Sequence, residues 1–508
     1  MLVMAPAAPT GTEPAIRAAR ATRRGSLRTE RRSTVRFGRG EAMGSLNRML
    51  RVDRGVHHGV VDLATVDALC SPQGRELMSS LPRPYDPAAA MRLTSSLRAR
   101  GHSPELVAAA LTQSELRTRG ERKFGAASHD MLFTRDGLEQ SSRPAVAELH
   151  ASRFAAGGVG AVHDLGCGIG ADSMAFAEAG LTVEAVESDP VTAAVAAFNL
   201  AADTGPPGGR QRGVDERVRV HHGQAQDPRW RREAEARRAA HPAGGTPVGV
   251  WLDPGRRTGG VADVSGRTRR VRAPDQMSPP WETVQALARE WPAAGVKLGA
   301  GLGAVHAPPE GAEAHWVSHD GEAVECVLWW GALAREPGTR SALVHAEGQW
   351  HRLRASGETL MPPPVSSPSQ VGPVLYELDP AVAAAGLRAA VGLELQARTL
   401  GSAAYLSGDR VVRTPWARAW NVHEVLPLRT APLRRWARRE DVGALTVKRP
   451  SRRASGGDVV PDADVLRRRV APAGSRAATL LLSDLGPASA GVALWVSPCA
   501  GRDERAPS

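Results

Sequence analysis

His163-Asp164-Leu165-Gly166-Cys167-Gly168-Ile169-Gly170-Ala171-Asp172 decides the fold of this chain. The stretch follows a short apolar run, Ala161-Val162-His163, and opens a helical pattern over 171–179. Glycines at a strand-to-helix turn let the backbone come close to a ligand where side chains would forbid it. The ligand then lies at the carboxyl end of the strand, near the positive end of the next helix. A second element, Val183-Glu184-Ala185-Val186-Glu187-Ser188-Asp189-Pro190, ends the next strand on an acid. Glu187 falls about 20 residues after the first glycine, the spacing at which a carboxylate meets a ribose diol.

Outward from this turn the period stays that of an α/β protein. Apolar runs at 181–186, 218–220, 248–252, 295–298 and 324–330 alternate with helical stretches at 171–179, 190–202 and 281–291. Such alternation predicts a mostly parallel sheet with helices on both faces. The last run, with 314–318 before it, predicts an antiparallel pair at the sheet edge. Two ligands suit the glycine turn. Gly166, Gly168 and Ala171 satisfy the loose pattern of nicotinamide and flavin enzymes. Asp164 before the glycines, Gly170 after them and Asp253-Pro254 at the end of the fourth strand favour S-adenosyl-L-methionine instead.

In these residues the chain resembles class I S-adenosylmethionine-dependent methyltransferases. Asp164–Gly170 is similar to their first motif and Ala185–Pro190 to their ribose motif. The resemblance implies a Rossmann-like sheet and a cofactor loop shaped by Gly166, Cys167, Gly168 and Gly170. It places Asp164 near the methionine part of the cofactor and the ribose on Glu187 beside Ser188. The family often has an acid after the third-strand glycine for the adenine amine. Here Gln224-Ala225 follows Gly223, so the Gln224 amide oxygen or Asp227 takes that contact. Asp253 and Pro254 occupy the place of the family's catalytic motif, where they orient an acceptor nitrogen. Arg256 and Arg257 replace its usual Pro-aromatic pair, and two arginines suit a phosphate or carboxylate. Ser278-Pro279-Pro280-Trp281 looks like the tetrapeptide of amine methylators, but its position predicts a helix start capped by Ser278. Lys297, at the end of the next strand, is a candidate substrate contact. His221-His222 is no metal pair, because consecutive strand residues face opposite ways, and no metal is expected.

Three further features resemble one bacterial group of these enzymes that carries a C-terminal THUMP-like domain. They are Leu132–Gln140, Asp253–Arg257 and a basic C-terminal segment containing Ala404–Asp409 and Glu424–Leu428. A fainter likeness to trimethylguanosine synthases rests on Phe133-Thr134-Arg135 before the glycine turn, which makes Phe133 a candidate substrate contact. Residues near 131–140 are expected to close over the site. THUMP domains bind RNA in tRNA and rRNA modification enzymes. The resemblance therefore implies an RNA partner held by Arg434, Arg435, Lys448 and Arg449, with Arg438, Arg439, Arg452 and Arg453 nearby.

Composition sets the bounds. The chain has 508 residues and a net charge of +12, yet only Lys123, Lys297 and Lys448 are lysines among 65 basic residues. An arginine excess of this kind reads as coding bias, so its distribution carries more than its sum. Residues 429–470 hold twelve basic residues and five acids, which suits phosphate contacts. Residues 1–50 hold ten arginines and three acids without apolar periodicity and read as disordered. The four cysteines form no CxxC pair, which fits a reducing, cytoplasmic setting, and no membrane span is expected. The expected plan is a basic tail (1–55), a helical segment (56–155), a methyltransferase domain (156–356), a Pro/Ser-rich linker (357–373) and an α+β THUMP-like domain (374–508). The first functional expectation is a methyltransferase acting on a base nitrogen of structured RNA. A methyltransferase for a small molecule or protein, and a cofactor-binding scaffold without turnover, remain open, with a dehydrogenase behind them.

Overall fold

The computed structural model describes residues 62–201, 217–239, 246–255, 257–262, 268–270, 277–301, 308–354, 364–401, 404–449, 461–485 and 491–499. The expected basic tail lies outside them. The strands in chain order are β1 (Ala161–Leu165), β2 (Thr182–Glu187), β3 (Val218–His222), β4 (Val248–Leu252), β5 (Arg257–Ala262), β6 (Thr268–Arg270), β7 (Ala293–Gly299), β8 (Glu313–His319), β9 (Glu322–Gly331) and β10 (Arg340–Ala346). There follow β11 (Gln349–Arg354), β12 (Pro364–Val365), β13 (Val374–Leu378), β14 (Arg398–Leu400), β15 (Tyr405–Gly408), β16 (Ala417–Pro427), β17 (Val442–Lys448), β18 (Arg476–Ser483) and β19 (Val492–Pro498).

A nine-stranded sheet has the order β11-β10-β8-β9-β7-β4-β1-β2-β3. From β3 to β7 the strands are parallel. Both faces of such a sheet are covered, so β1 and β4 are buried at every position. The strand order reverses between β1 and β4, and the crevice at their carboxyl ends is the expected ligand position of an open α/β sheet. β9 runs antiparallel between β7 and β8. The expected β8–β9 pair therefore exists, but it lies inside the sheet. Cys326, Val327 and Leu328 are paired on both sides, and β10 and β11, which the sequence reading missed, extend the sheet beyond them.

Helices Pro144–Ala156, Ala171–Glu178 and Pro190–Leu200 cover one face, together with the helical segment 63–124. Helix Pro104–Phe124 begins as its sequence predicts: Ser103 caps Leu106 through its hydroxyl at 3.2 Å and Pro104 takes the first turn. Helices Arg229–Ala239 and Trp281–Glu290 cover the other face. Met131, Leu132 and Phe133 are buried in the first core. The expectation that the chain near 131–140 closes over the site holds only from Thr134 onward.

Residues 374–395 share the second core with the nine-stranded sheet. Ala381, Val382 and Ala385 of helix Pro380–Ala385 are buried among them, and Ser318 on β8 donates to Asp379 at 2.6 Å. Gly386, at φ +73°, ends that helix, and a second helix runs Arg388–Glu394. A second sheet, β12-β14-β15-β13-β16-β19-β18-β17, carries helices Thr430–Arg439 and Ala463–Val470. Leu433, Trp436, Leu466 and Val470 form its core against Leu480 and Leu482. Pro364–Val365, inside the expected linker, pairs with β14.

Gly295 is a tight point inside the large sheet. It pairs with Trp251 on one side and Trp329 on the other, and the two indoles approach each other at 5.8 Å between centroids. A Cβ at Gly295 would lie 2.7 Å from both rings. Gly295→Ala is expected to lower the free energy of unfolding by about 1–3 kcal/mol, as overpacking does; urea denaturation of the two proteins measures it.

Candidate functional site

The turn after β1 is built from glycines that the geometry requires. Gly166 stands at φ +100°, and a Cβ there would lie 2.6 Å from the carbonyl oxygen of Asp253. Only glycine lets the loops after β1 and β4 touch. Gly168 stands at φ +58° with open space where its Cβ would project, and its N–H donates to Glu187 at 3.0 Å. Glu187 also accepts from the Asp189 N–H at 2.9 Å and the Ser188 hydroxyl at 3.2 Å. The end of β2 is thereby locked to the glycine loop.

These loops enclose a cavity of about 350 Å³. Gly166, Cys167, Gly168, Glu187, Ser188, Gln224, Ala225, Asp253, Pro254 and Lys297, expected from the sequence, all line it. Gly170, at φ +91°, turns the chain into the next helix. Asp227 turns away, its carboxylate accepting from the Arg229 N–H at 2.9 Å. That leaves the β3 loop represented by Gln224 and Ala225. Cys167 is a buried thiol pushed up by burial.

Three expectations need correction. Asp164 is fully buried and is not on the cavity wall; it accepts from Ser173 at 2.5 Å, and burial and neighbouring Asp172 hold its carboxyl far above the usual range. Asp172 takes the wall position instead. Phe133 is wholly buried against Phe124, 5.7 Å between centroids, and its backbone is held by Gln113, so it meets no substrate. Ser278 does not cap a helix. Its N–H and C=O bond Gly255 at 3.3 and 2.9 Å, which brings Ser278 and Pro279 to the cavity wall beside Pro254. Helix Trp281–Glu290 starts after them. The bridge joins residues far apart in sequence, so spacing along the chain gave no sign of it.

Arg256 lies outside the described residues; Arg257 opens β5, the first strand of a hairpin with β6. Arg434 and Arg435 are exposed on helix Thr430–Arg439, with the Arg434 guanidinium on the Arg469 carbonyl at 2.7 Å. Lys448 and Arg449 are engaged with carboxylates, Glu377 at 2.8 Å and Asp462 at 3.7 Å. Arg434, Arg435, Lys448 and Arg449 are not on the wall of the cavity.

Behind the wall runs a chain of charged groups. The Lys297 ammonium lies 2.6 Å from Asp253 and 3.6 Å from Asp172. Asp172 accepts from Ser142 at 2.8 Å and meets His150 at 2.8 Å. His150 meets Glu325 at 2.5 Å on its other nitrogen. Burial raises the Asp172 carboxyl, but Lys297 and His150 outweigh it and hold it well below the usual range. Burial pushes His150 down, but Glu325 and Asp172 outweigh that and hold it at about 9.

His221 and His222 face opposite ways as expected: His221 is buried on Glu184 at 2.8 Å, and His222 is exposed. Elsewhere His319, Asp320 and His345 gather within 4.8 Å. The two imidazoles are stacked at 4.2 Å and 12°. Parallel rings cannot both direct in-plane lone pairs at one ion. No helix among the described residues is long and apolar enough to cross a membrane.

Residues 417–498 match the family model of a THUMP domain-like module, and residues 62–120 match a domain of unknown function (DUF8688). No curated protein matches the sequence. Among solved structures, a candidate methyltransferase from Porphyromonas gingivalis W83 is similar over 82% of this chain and 99% of its own, at 19% identity and a TM-score of 0.55. The two share a fold. A SAM-dependent methyltransferase from Neisseria gonorrhoeae aligns over 37% of this chain and 72% of its own, at 21% identity and a TM-score of 0.22. The THUMP-like match begins at Ala417, the first residue of β16.

His150 gives a pH signature. Its folded pKa of about 9 exceeds the ordinary 6.5, so the stability it contributes is complete below about 6.5 and is lost as pH rises through about 9. Thermal midpoints between about pH 6 and 10 should fall across that window, and His150→Gln should flatten the profile.

Proposed function

We propose that the protein is an S-adenosylmethionine-dependent methyltransferase that modifies a base nitrogen in structured RNA, a tRNA or rRNA. The observation that carries the cofactor is the charge of the 350 Å³ cavity. Among the described residues its wall holds the carboxyl groups of Asp136, Asp172, Glu187 and Asp253 against one ammonium, Lys297, and no arginine. A dinucleotide would bring a pyrophosphate against these four carboxyl groups, with the one described cation already paired to Asp253, at a cost in like-charge repulsion. A cofactor bearing a sulfonium and an ammonium suits it.

The residues present fit such a cofactor. The open side of Gly168 and the positive φ of Gly166 leave room for backbone approach. Glu187 is held at the end of β2 to accept from a ribose diol, and Gln224 with Ala225 is available to an adenine. Asp172 replaces Asp164 as the carboxylate for the amino group of the methionine part. S-adenosyl-L-methionine, when bound, supplies the methyl group. Asp253 and Pro254 then act on the acceptor alone. The Asp253 carboxylate accepts a hydrogen bond from the acceptor N–H and aims its lone pair. Lys297 fixes the rotamer of Asp253 and neutralises its charge while it waits. Alignment of this kind supplies most of what methyl transfer needs. No residue need remove a proton before the nitrogen attacks.

The RNA part of the proposal rests on the THUMP-like match at 417–498 and on the exposed arginines of helix Thr430–Arg439. Leu433, Trp436 and Ala437 turn inward, which leaves Arg434, Arg435 and Arg438 on the solvent face. Incubation with radiolabelled cofactor and total RNA from a strain lacking the gene should give label that RNase removes. Asp253→Ala should lower that transfer by about a hundredfold or more with cofactor affinity nearly unchanged in calorimetry. Label in protein or small molecules instead of RNA would overturn the substrate assignment. Loss of cofactor affinity in the variant would overturn the role of Asp253.

A further inference from the structure

A second cavity, of about 630 Å³, adjoins the first and shares Gln140, Ser141 and Lys297 with it. Its charge has the opposite sign. Arg119, Arg122, Lys123, Arg143 and Lys297 line it, against Glu139, Glu322 and Glu325. The acids do not cancel the bases. Glu325 is answered behind the wall by His150, which stays cationic up to about pH 9. Arg143 meets Glu322 at 2.9 Å, but the Glu322 side chain is 72% exposed. Arg119 meets Glu139 at 3.9 Å, with both partly exposed. Exposed pairs of this kind are weak and exchange readily for a better anion. Arg122 is exposed in the last turn of helix Pro104–Phe124 and has no ion-pair partner among the described residues. Lys123 is turned to the carbonyls of Leu138 and Glu139, at 2.8 and 3.3 Å.

The far wall has the opposite chemistry. One Glu325 oxygen is on His150; the other is buried and has no hydrogen-bond partner. A buried acceptor left unsatisfied is costly, and an N–H group of a ligand reaching that wall would satisfy it. Glu325 and Lys297 lie on the same sheet face, since Lys297 pairs with Val327 and Gly299 with Glu325. The acceptor end of this chamber thus meets the cofactor cavity at Lys297.

We infer that this chamber is the acceptor pocket and takes a nucleotide, its phosphate on Arg119, Arg122 and Arg143 and an N–H of its base toward Glu325. The inference rests on the reading of the adjoining cavity as the cofactor site only for the word acceptor; the ligand chemistry stands on the chamber itself. A nucleotide has both an anionic and an N–H-bearing end, whereas an inorganic anion has only one. Arginine suits the first end because its planar fork meets phosphate oxygens in pairs. The source of the phosphate is either a free mononucleotide or a nucleotide turned out of an RNA strand.

Calorimetry of the full-length protein separates these cases. The titrants are S-adenosylhomocysteine, inorganic phosphate, guanosine and adenosine 5′-monophosphates, and a short single-stranded RNA. A nucleotide or the RNA should bind more tightly than phosphate. Arg122→Glu and Arg143→Glu should each weaken it about tenfold or more, with S-adenosylhomocysteine affinity unchanged as the check on folding. Binding of the mononucleotides would point to a small-molecule acceptor, and binding of RNA alone to a flipped nucleotide; both support the chamber. Nucleotide and RNA binding that ignores both substitutions, or its absence in a protein that binds S-adenosylhomocysteine, would overturn the inference. If S-adenosylhomocysteine fails to bind while nucleotide binding still depends on Arg122, the cofactor reading falls and the chamber stands.

Discussion

A single buried ammonium organises this molecule. Lys297 is 2% exposed, and a charge so far from water is tolerable only if it is paired at close range. Its partners come from two different loops: Asp253 after β4, and Asp172 at the start of the helix after β1. Asp172 in turn fixes Ser142 and His150, and His150 fixes Glu325 on β9. One pairing requirement therefore ties the glycine turn, the fourth-strand loop, the helical segment before the sheet and the antiparallel strand within it.

The same ammonium divides two spaces of unlike electrostatic character. On one side four carboxyl groups face the glycine loop. On the other, arginines from the end of helix Pro104–Phe124 and from Arg143 dominate. Neither balance is visible in the net charge of the chain, because arginine is abundant everywhere in it. The sorting is made by folding, which sends the arginine-free segment 164–172 to the first space and the end of helix Pro104–Phe124 to the second.

What the sequence made legible was local. The glycine turn, Glu187 at its spacing, Gln224, and strands β1–β4 and β7–β9 follow from patterns within about 30 residues, because strand period, turn chemistry and helix caps act over that range. Lys297 was readable for the same reason, at the end of a strand. What the sequence hid was assembled through space. Asp164 and Asp172 lie eight residues apart, and only packing decides that the first is sealed under the turn while the second reaches the wall. Phe133 sits in a motif that suggested contact, yet hydrophobic burial claims it, as it claims Met131 and Leu132. The pairing of Gly255 with Ser278 and the arrival of Arg119 and Arg122 at Lys297 are long-range events with no local signature. Pro380–Ala385 is a further case: its alanines look like any helix, and only folding buries them in the core of the large sheet.

The Gly255–Ser278 bridge closes a neck. It fastens the chain on both sides of an excursion, so the residues that matter to the cavity, Pro254 and Pro279, are held by the neck and not by what hangs from it. Loop-closure entropy changes slowly with the length of such an appendage. A connection closed at its neck can therefore change length at little thermodynamic cost, while Pro254 and Pro279 stay in register.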